Sequence, residues 1–187
     1  VRLTCEELAA RLRAALEQDR VRDEDTALLL YDLDFVHARA GEMVAAFPPA
    51  TLHAVAVKAN PLLRVLRELC AAHPQVGLEA ASLPELRLAL EAGCPPGRIV
   101  FDSPAKTVDE LRQALRAGVR VNADNLDELA RIAALVQAGE PCAGAGVRVN
   151  PQVGAGRIAA TSTAAAFSKF GAPLAEQRQE LLAAFAR

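Results

Sequence analysis

The sequence predicts an α/β fold built on a parallel sheet, and three observations carry that expectation. Short apolar runs rich in Val, Ile and Ala recur roughly every 21 to 26 residues, the spacing of strand, turn and helix units. Helix start signals follow the runs, and glycines close the helices. With 187 residues, 52% hydrophobic and 24% charged, the chain has the balance of a globular domain with a sizeable core.

Taken in order, residues 1–26 read as an N-terminal helical extension. "TCEE" at 4–7 is a capping box, in which hydroxyl and carboxylate each satisfy a backbone N–H left over at the first turn. Acids and bases at helical period there exclude a signal peptide or a membrane span. The stretch "TALLLYDLDFVHARAGEMVAAF" at 26–47 supplies an entry strand and a helix. Strands are then expected at 52–57, 76–80, 98–101, 119–122 and 146–149. "SLPE" at 82–85 and "TVDE" at 107–110 are further capping boxes. Asn60 before Pro61 reads as a cap with proline at the first helical position, and Asp124 with Asp127 as a weaker one. Gly93, Gly118 and Gly139 mark helix exits.

Two closures suit this alternation: a doubly wound open sheet or a (β/α)8 barrel. A closed barrel takes about 250 residues, so five βα units in a chain opening at Val1 without methionine read as the first part of a barrel, and as a fragment inactive alone. Net charge is −2 with signs intermixed, so neither nucleic acid nor an anionic membrane is the expected partner, and a small molecule is. Cys5, Cys70, Cys94 and Cys142 are far apart, without C-x-x-C or a histidine at ligand spacing; they read as buried reduced thiols of a cytoplasmic protein, and no metal is expected.

Lys58 is the first residue with chemistry in prospect. It ends the apolar run "HAVAVKANP", at the strand tip where barrels carry their active sites. An isolated lysine there usually snorkels to solvent. Held in an apolar pocket it would instead present a neutral amine, the nucleophile that forms a Schiff base.

"HAVAVKANP", "VGLEAASLPELRLALEAG", "RIVFDSPAKTVDEL", "VRVNADNLDEL", "GVRVNP" and "SKFG" together resemble, in order and spacing, the fold-type III pyridoxal-phosphate enzymes, the group of diaminopimelate, ornithine and biosynthetic arginine decarboxylases. The resemblance implies an α/β TIM (β/α)8 barrel of the pyridoxal-phosphate-binding type, present over 27–187 as an incomplete N-terminal portion of about five units. It implies pyridoxal 5'-phosphate as cofactor, in Schiff-base linkage with Lys58. Glu79 falls where diaminopimelate and ornithine decarboxylases carry an aspartate under the cofactor, and "GLEA" is nearer the arginine decarboxylase form. Glu85 falls on a family acid near the lysine, although completing a capping box accounts for it as well, as for Ser82.

Arg148 alternates with Val147 and Val149 and so is expected to point inward, with Glu79 as its carboxylate by resemblance; Asn150 caps the strand exit beside it. Ser168 and Lys169 match a family loop at the active-site mouth, though solvent exposure is the plainer reading of Lys169. Lys106, in the turn "SPAK", is expected to be solvated. His53 should lie at the end of the barrel opposite the site, and His37 and His73 on helices or their ends.

The implied activity is decarboxylation of a basic or diamino amino acid by a protein homodimeric at full length. Two alternatives stand beside it: a pyridoxal-phosphate barrel without decarboxylation, and a nicotinamide oxidoreductase. The second rests on "VGAGRIA" at 153–159, a G-x-G-x-x-A match with Glu176 at ribose-acid distance, which Pro151 and the helical pattern around Glu176 oppose.

Overall fold

The structure, a computed structural model, describes residues 3–22, 24–154, 163–165 and 168–185. Two compact units divide the chain, Val1–Arg39 and Ala40–Arg187. In the first, helix α1 (Cys5–Glu17) starts on its capping box: Glu7 N–H donates to Thr4 Oγ1 at 3.2 Å and Thr4 N–H donates to the Glu7 carboxylate at 2.7 Å. The expected entry strand does not form over 27–32, where Leu28, Leu29, Leu30 and Tyr31 are exposed. A strand needs a neighbour for its backbone groups, whatever its side chains prefer. Asp32 accepts from Phe35 N–H at 3.1 Å at the start of α2 (Leu33–Ala45).

In the second unit the expected grammar holds. Strands β1 (His53–Ala56), β2 (Val76–Ala80), β3 (Ile99–Phe101), β4 (Arg120–Ala123) and β5 (Ala145–Val147) form one parallel sheet in chain order. Helices α3 (Leu63–Ala72), α4 (Leu83–Glu91), α5 (Val108–Arg116) and α6 (Leu126–Gln137) make the crossovers. Strands β6 (Val149–Asn150) and β7 (Ala172–Pro173) pair separately in parallel, and α7 (Leu174–Phe185) follows.

Alternation along the strands decides what lies where. Leu78, Ile99, Phe101, Val121 and Ala123 are wholly buried and pack with Leu66, Leu86, Leu111, Leu115 and Ile132 of the helices. Glu79, Val100 and Asn122 stand between them on the other face and keep partial exposure. On α5, Leu111, Ala114 and Leu115 are buried at i, i+3 and i+4, the stripe a helix needs to cover a sheet. Gly77 is required inside β2, because a Cβ there would run into the Arg98 carbonyl oxygen.

Three caps differ from expectation. Helix α3 starts at Leu63, two residues late, and Asn60 Oδ1 accepts from Leu62 N–H at 3.3 Å without capping the helix. The α6 cap is Asn125, whose side chain accepts from Glu128 N–H at 2.8 Å. At α4, Ser82 caps Glu85 N–H, but the Glu85 carboxylate accepts from Ala81 N–H at 2.9 Å rather than from the cap residue. The cysteines also divide: Cys70 and Cys94 are buried, whereas Cys5 and Cys142 are exposed.

At the amino-terminal end of the sheet, Arg98 is a clip. Its Nη1 donates to the carbonyls of His73, Pro74 and Val76 at 3.1, 3.0 and 2.8 Å, and its Nη2 to Cys70 at 3.1 Å. Hydrogen bonds to a charged donor are worth more than neutral ones, so Arg98→Met should cost about 2–3 kcal/mol. Urea unfolding measures it; an unchanged midpoint would mean that water serves those carbonyls equally well.

Candidate active site

Lys58 leaves β1 through a 3-10 turn, Val57–Ala59, that sends Val57 into the core and the lysine the other way. Its ammonium lies 3.8 Å from Glu79 Oε2, at the carboxyl ends of β1 and β2. The apolar pocket expected around it is not found: the Lys58 side chain is 61% exposed and its neighbour is a carboxylate. A pair so exposed is weak and easily rearranged, which leaves the amine accessible to a carbonyl.

Glu79 is more enclosed, its side chain 16% exposed. Burial pushes its carboxyl above the usual glutamate range, Lys58 opposes the rise, Asp102 and Glu85 add to it, and Arg148 again opposes it. Arg148 therefore lies within the electrostatic reach of Glu79, but its carboxylate partner is Asp124, Nη1 to Oδ1 at 3.5 Å. Sheet order explains the correction: Asp124 follows β4, the neighbour of β5, whereas Glu79 is on β2. Arg148 also lies over the Phe170 ring at 4.7 Å.

Asn150, in β6, is buried, and its amide is engaged by main chain: Nδ2 donates to Ala165 O at 3.0 Å and Oδ1 accepts from Gln152 N–H at 3.0 Å. It thus ties the end of β6 to Gln152 and Ala165. In "SKFG", Ser168 Oγ accepts from Phe170 N–H at 3.2 Å, exposed Lys169 lies 5.1 Å from the Phe170 ring, and Gly171 donates its N–H to Asp124 Oδ1 at 3.3 Å. Gly171 has φ +73°, and a Cβ there would meet Asn150 N at 2.9 Å, so only glycine fits.

Lys106 is the largest departure from expectation, being buried rather than solvated. The "SPAK" loop folds back, with Ser103 Oγ donating to Ala105 O at 2.8 Å, and Lys106 Nζ meets Glu128 Oε2 at 2.7 Å with both side chains enclosed. Glu128, at the third position of a capped helix, reads in the sequence as a capping residue, and nothing near Lys106 there points to the pairing. His53 starts β1 at the amino-terminal end, edge-on to Phe47 at 5.2 Å, His73 is the C-cap of α3, and His37 lies in α2. Of the glycine fingerprint, Gly156 lies outside the described residues; Gly154 lies beyond the end of β6, and Glu176 is in the first turn of α7.

A lysine amine and a carboxylate thus lie side by side at the carboxyl ends of parallel strands, the end at which α/β folds carry their sites. Residues 33–187 match the family model "Pyridoxal-dependent decarboxylase, pyridoxal binding domain", and the chain belongs to that family. Pyridoxal 5'-phosphate is the cofactor that goes with this domain, and an accessible lysine beside an acid fits it.

The chain is 33% identical to diaminopimelate decarboxylase of Zymomonas mobilis over 151 residues, 78% of this chain and 35% of that protein. It superposes on diaminopimelate decarboxylase from Helicobacter pylori complexed with L-lysine with a TM-score of 0.78 at 31% identity, covering 91% of this chain and 42% of that one. An arginine decarboxylase from Paramecium bursaria Chlorella virus, 22% identical with a TM-score of 0.68 over 91% of this chain and 43% of its own, shares the fold. The chain thus has the fold of the N-terminal part of a pyridoxal-phosphate-binding barrel and spans about a third of the length of the curated relatives it matches. No helix among the described residues is long and apolar enough to cross a membrane.

Proposed function

We propose that the full-length protein decarboxylates a basic or diamino amino acid of the diaminopimelate, ornithine and arginine class, with pyridoxal 5'-phosphate held in a Schiff base on Lys58. The placement of the Lys58 amine 3.8 Å from Glu79 on the sheet's active-site rim is the observation that supports this most. When bound, the cofactor supplies an electron sink for the carbanion left by loss of CO2. Lys58 anchors it and exchanges protons at Nζ. Glu79 supplies negative charge beside that amine, Arg148 balances it, and Asn150 ties the end of β6 to Gln152 and Ala165. The same reading takes 27–187 as the barrel portion after an extension over 1–26, in a cytoplasmic homodimer.

To test it, the full-length protein is mixed with pyridoxal 5'-phosphate and offered each of the three amino acids. A Schiff-base absorption band that Lys58→Ala abolishes, with CO2 release from one of them, is the expected result. A Lys58-dependent band without CO2 from any amino acid would point to a barrel protein that does not decarboxylate. Absence of the band would end the reading.

The Glu79 carboxyl carries a pH consequence. Its folded-state value lies above the ordinary 4.5, so it stays protonated to higher pH than a free glutamate. Activity that needs the carboxylate should fall on the acid side with a midpoint above pH 4.5, and Glu79→Gln should flatten that limb in a kcat/KM profile. For stability the sign is the reverse: the neutral form is favoured in the fold, so the contribution is full below 4.5 and is lost as pH rises through the folded-state value.

A further inference from the structure

We propose that the buried Lys106–Glu128 pair is a positioning device for the active site, fixing the end of β4 so that Asp124 holds Arg148 at the sheet's carboxyl end. The inference rests on the function proposed above and names residues that serve that site without touching it.

Lys106 has three N–H donors and three acceptors at hand: Ser103 O at 2.6 Å, Asn122 O at 2.9 Å and Glu128 Oε2 at 2.7 Å. One side chain thus joins the exit of β3, the body of β4 and the first turn of α6. The oxygen that balances Lys106 also accepts from Asp124 N–H at 2.8 Å, so the pair aims the aspartate. Asp124 Oδ1 in turn takes Arg148 Nη1 at 3.5 Å and Gly171 N–H at 3.3 Å. Arg148 is tied by its main chain as well, donating to Ala123 O and accepting from Ala172 N–H, both at 2.8 Å.

Stability alone does not account for such a pair. Apolar residues of similar volume commonly replace a buried ion pair without loss. They cannot supply the carboxylate that orients Asp124. The groups facing Glu79 are Lys58 from the β1 exit, Asp102 from the β3 exit, Glu85 from α4 and Arg148 beyond β5. Of these, Arg148 is the one the pair reaches, so releasing it removes a positive influence from Glu79 and moves the acid limb to higher pH.

The test uses the full-length protein loaded with pyridoxal 5'-phosphate, and two variants, Lys106→Met/Glu128→Leu and Asp124→Asn. The double variant should melt close to the parent, yet kcat should fall roughly 10- to 100-fold at little-changed KM. Its acid limb should move up, and the pH midpoint of the bound cofactor's absorption band should be displaced. Asp124→Asn should displace both in the same direction with the ion pair intact. Parent-like kcat, acid limb and band midpoint in a well-folded double variant would overturn the inference. Should the double variant fail to fold, Asp124→Asn decides: displacement supports positioning, and parent-like behaviour refutes it. A parent protein without a Schiff-base band overturns the functional reading, and this inference with it.

Discussion

Lys58→Ala in the full-length protein is expected to lower kcat roughly 10²- to 10⁴-fold while leaving the fold in place. The alanine removes the amine that would bond the cofactor and exchange protons. It removes little packing, since most of the lysine side chain is exposed and Val57, beside it, carries the core contact. Lys58→Arg separates two roles. A guanidinium keeps a positive charge beside Glu79 but stays protonated and forms no Schiff base. Arginine should therefore be as inactive as alanine, and steady-state rates with an absorption scan check both. An arginine variant with parent-like turnover would show that residue 58 contributes charge alone.

Glu128→Leu is expected to cost about 3–5 kcal/mol of folding stability, because it leaves the Lys106 ammonium enclosed without a counter-charge. Two main-chain carbonyls still accept from Nζ, yet neither carries a charge. Adding Lys106→Met should recover most of the loss. Denaturant midpoints of the single and double variants measure the difference, and a single variant as stable as its parent would refute the assignment of a mutually dependent pair.

Much of the sheet was legible because its signals are local. The β2 range is as expected, and β1, β3 and β4 lie within one or two residues of expectation, since each is a short apolar run followed by a helix start signal. No entry strand forms at 27–32, because strand formation depends on a neighbour far away in sequence. Lys58 is legible as a lysine at the tip of an apolar strand and Glu79 through resemblance, and their register, Ala56 opposite Glu79, brings them together. What stayed hidden was pairing between distant side chains. Nothing near Lys106 in sequence shows that its loop folds back onto β4, or that Asp124, one strand over, reaches Arg148 before Glu79 can. The exposure of Lys58 was equally hidden, because the turn that aims it follows from where Val57 packs.

Strand order has a consequence for synthesis. Because β1 to β5 lie side by side in the order in which they are made, each emerging unit finds its predecessor already available as a template. Assembly can then proceed vectorially on the ribosome, unit after unit, without waiting for distant segments. Arg98 acts early in that series: once translated, it fastens the stretch around 70–76 to the newest strand before β4 arrives.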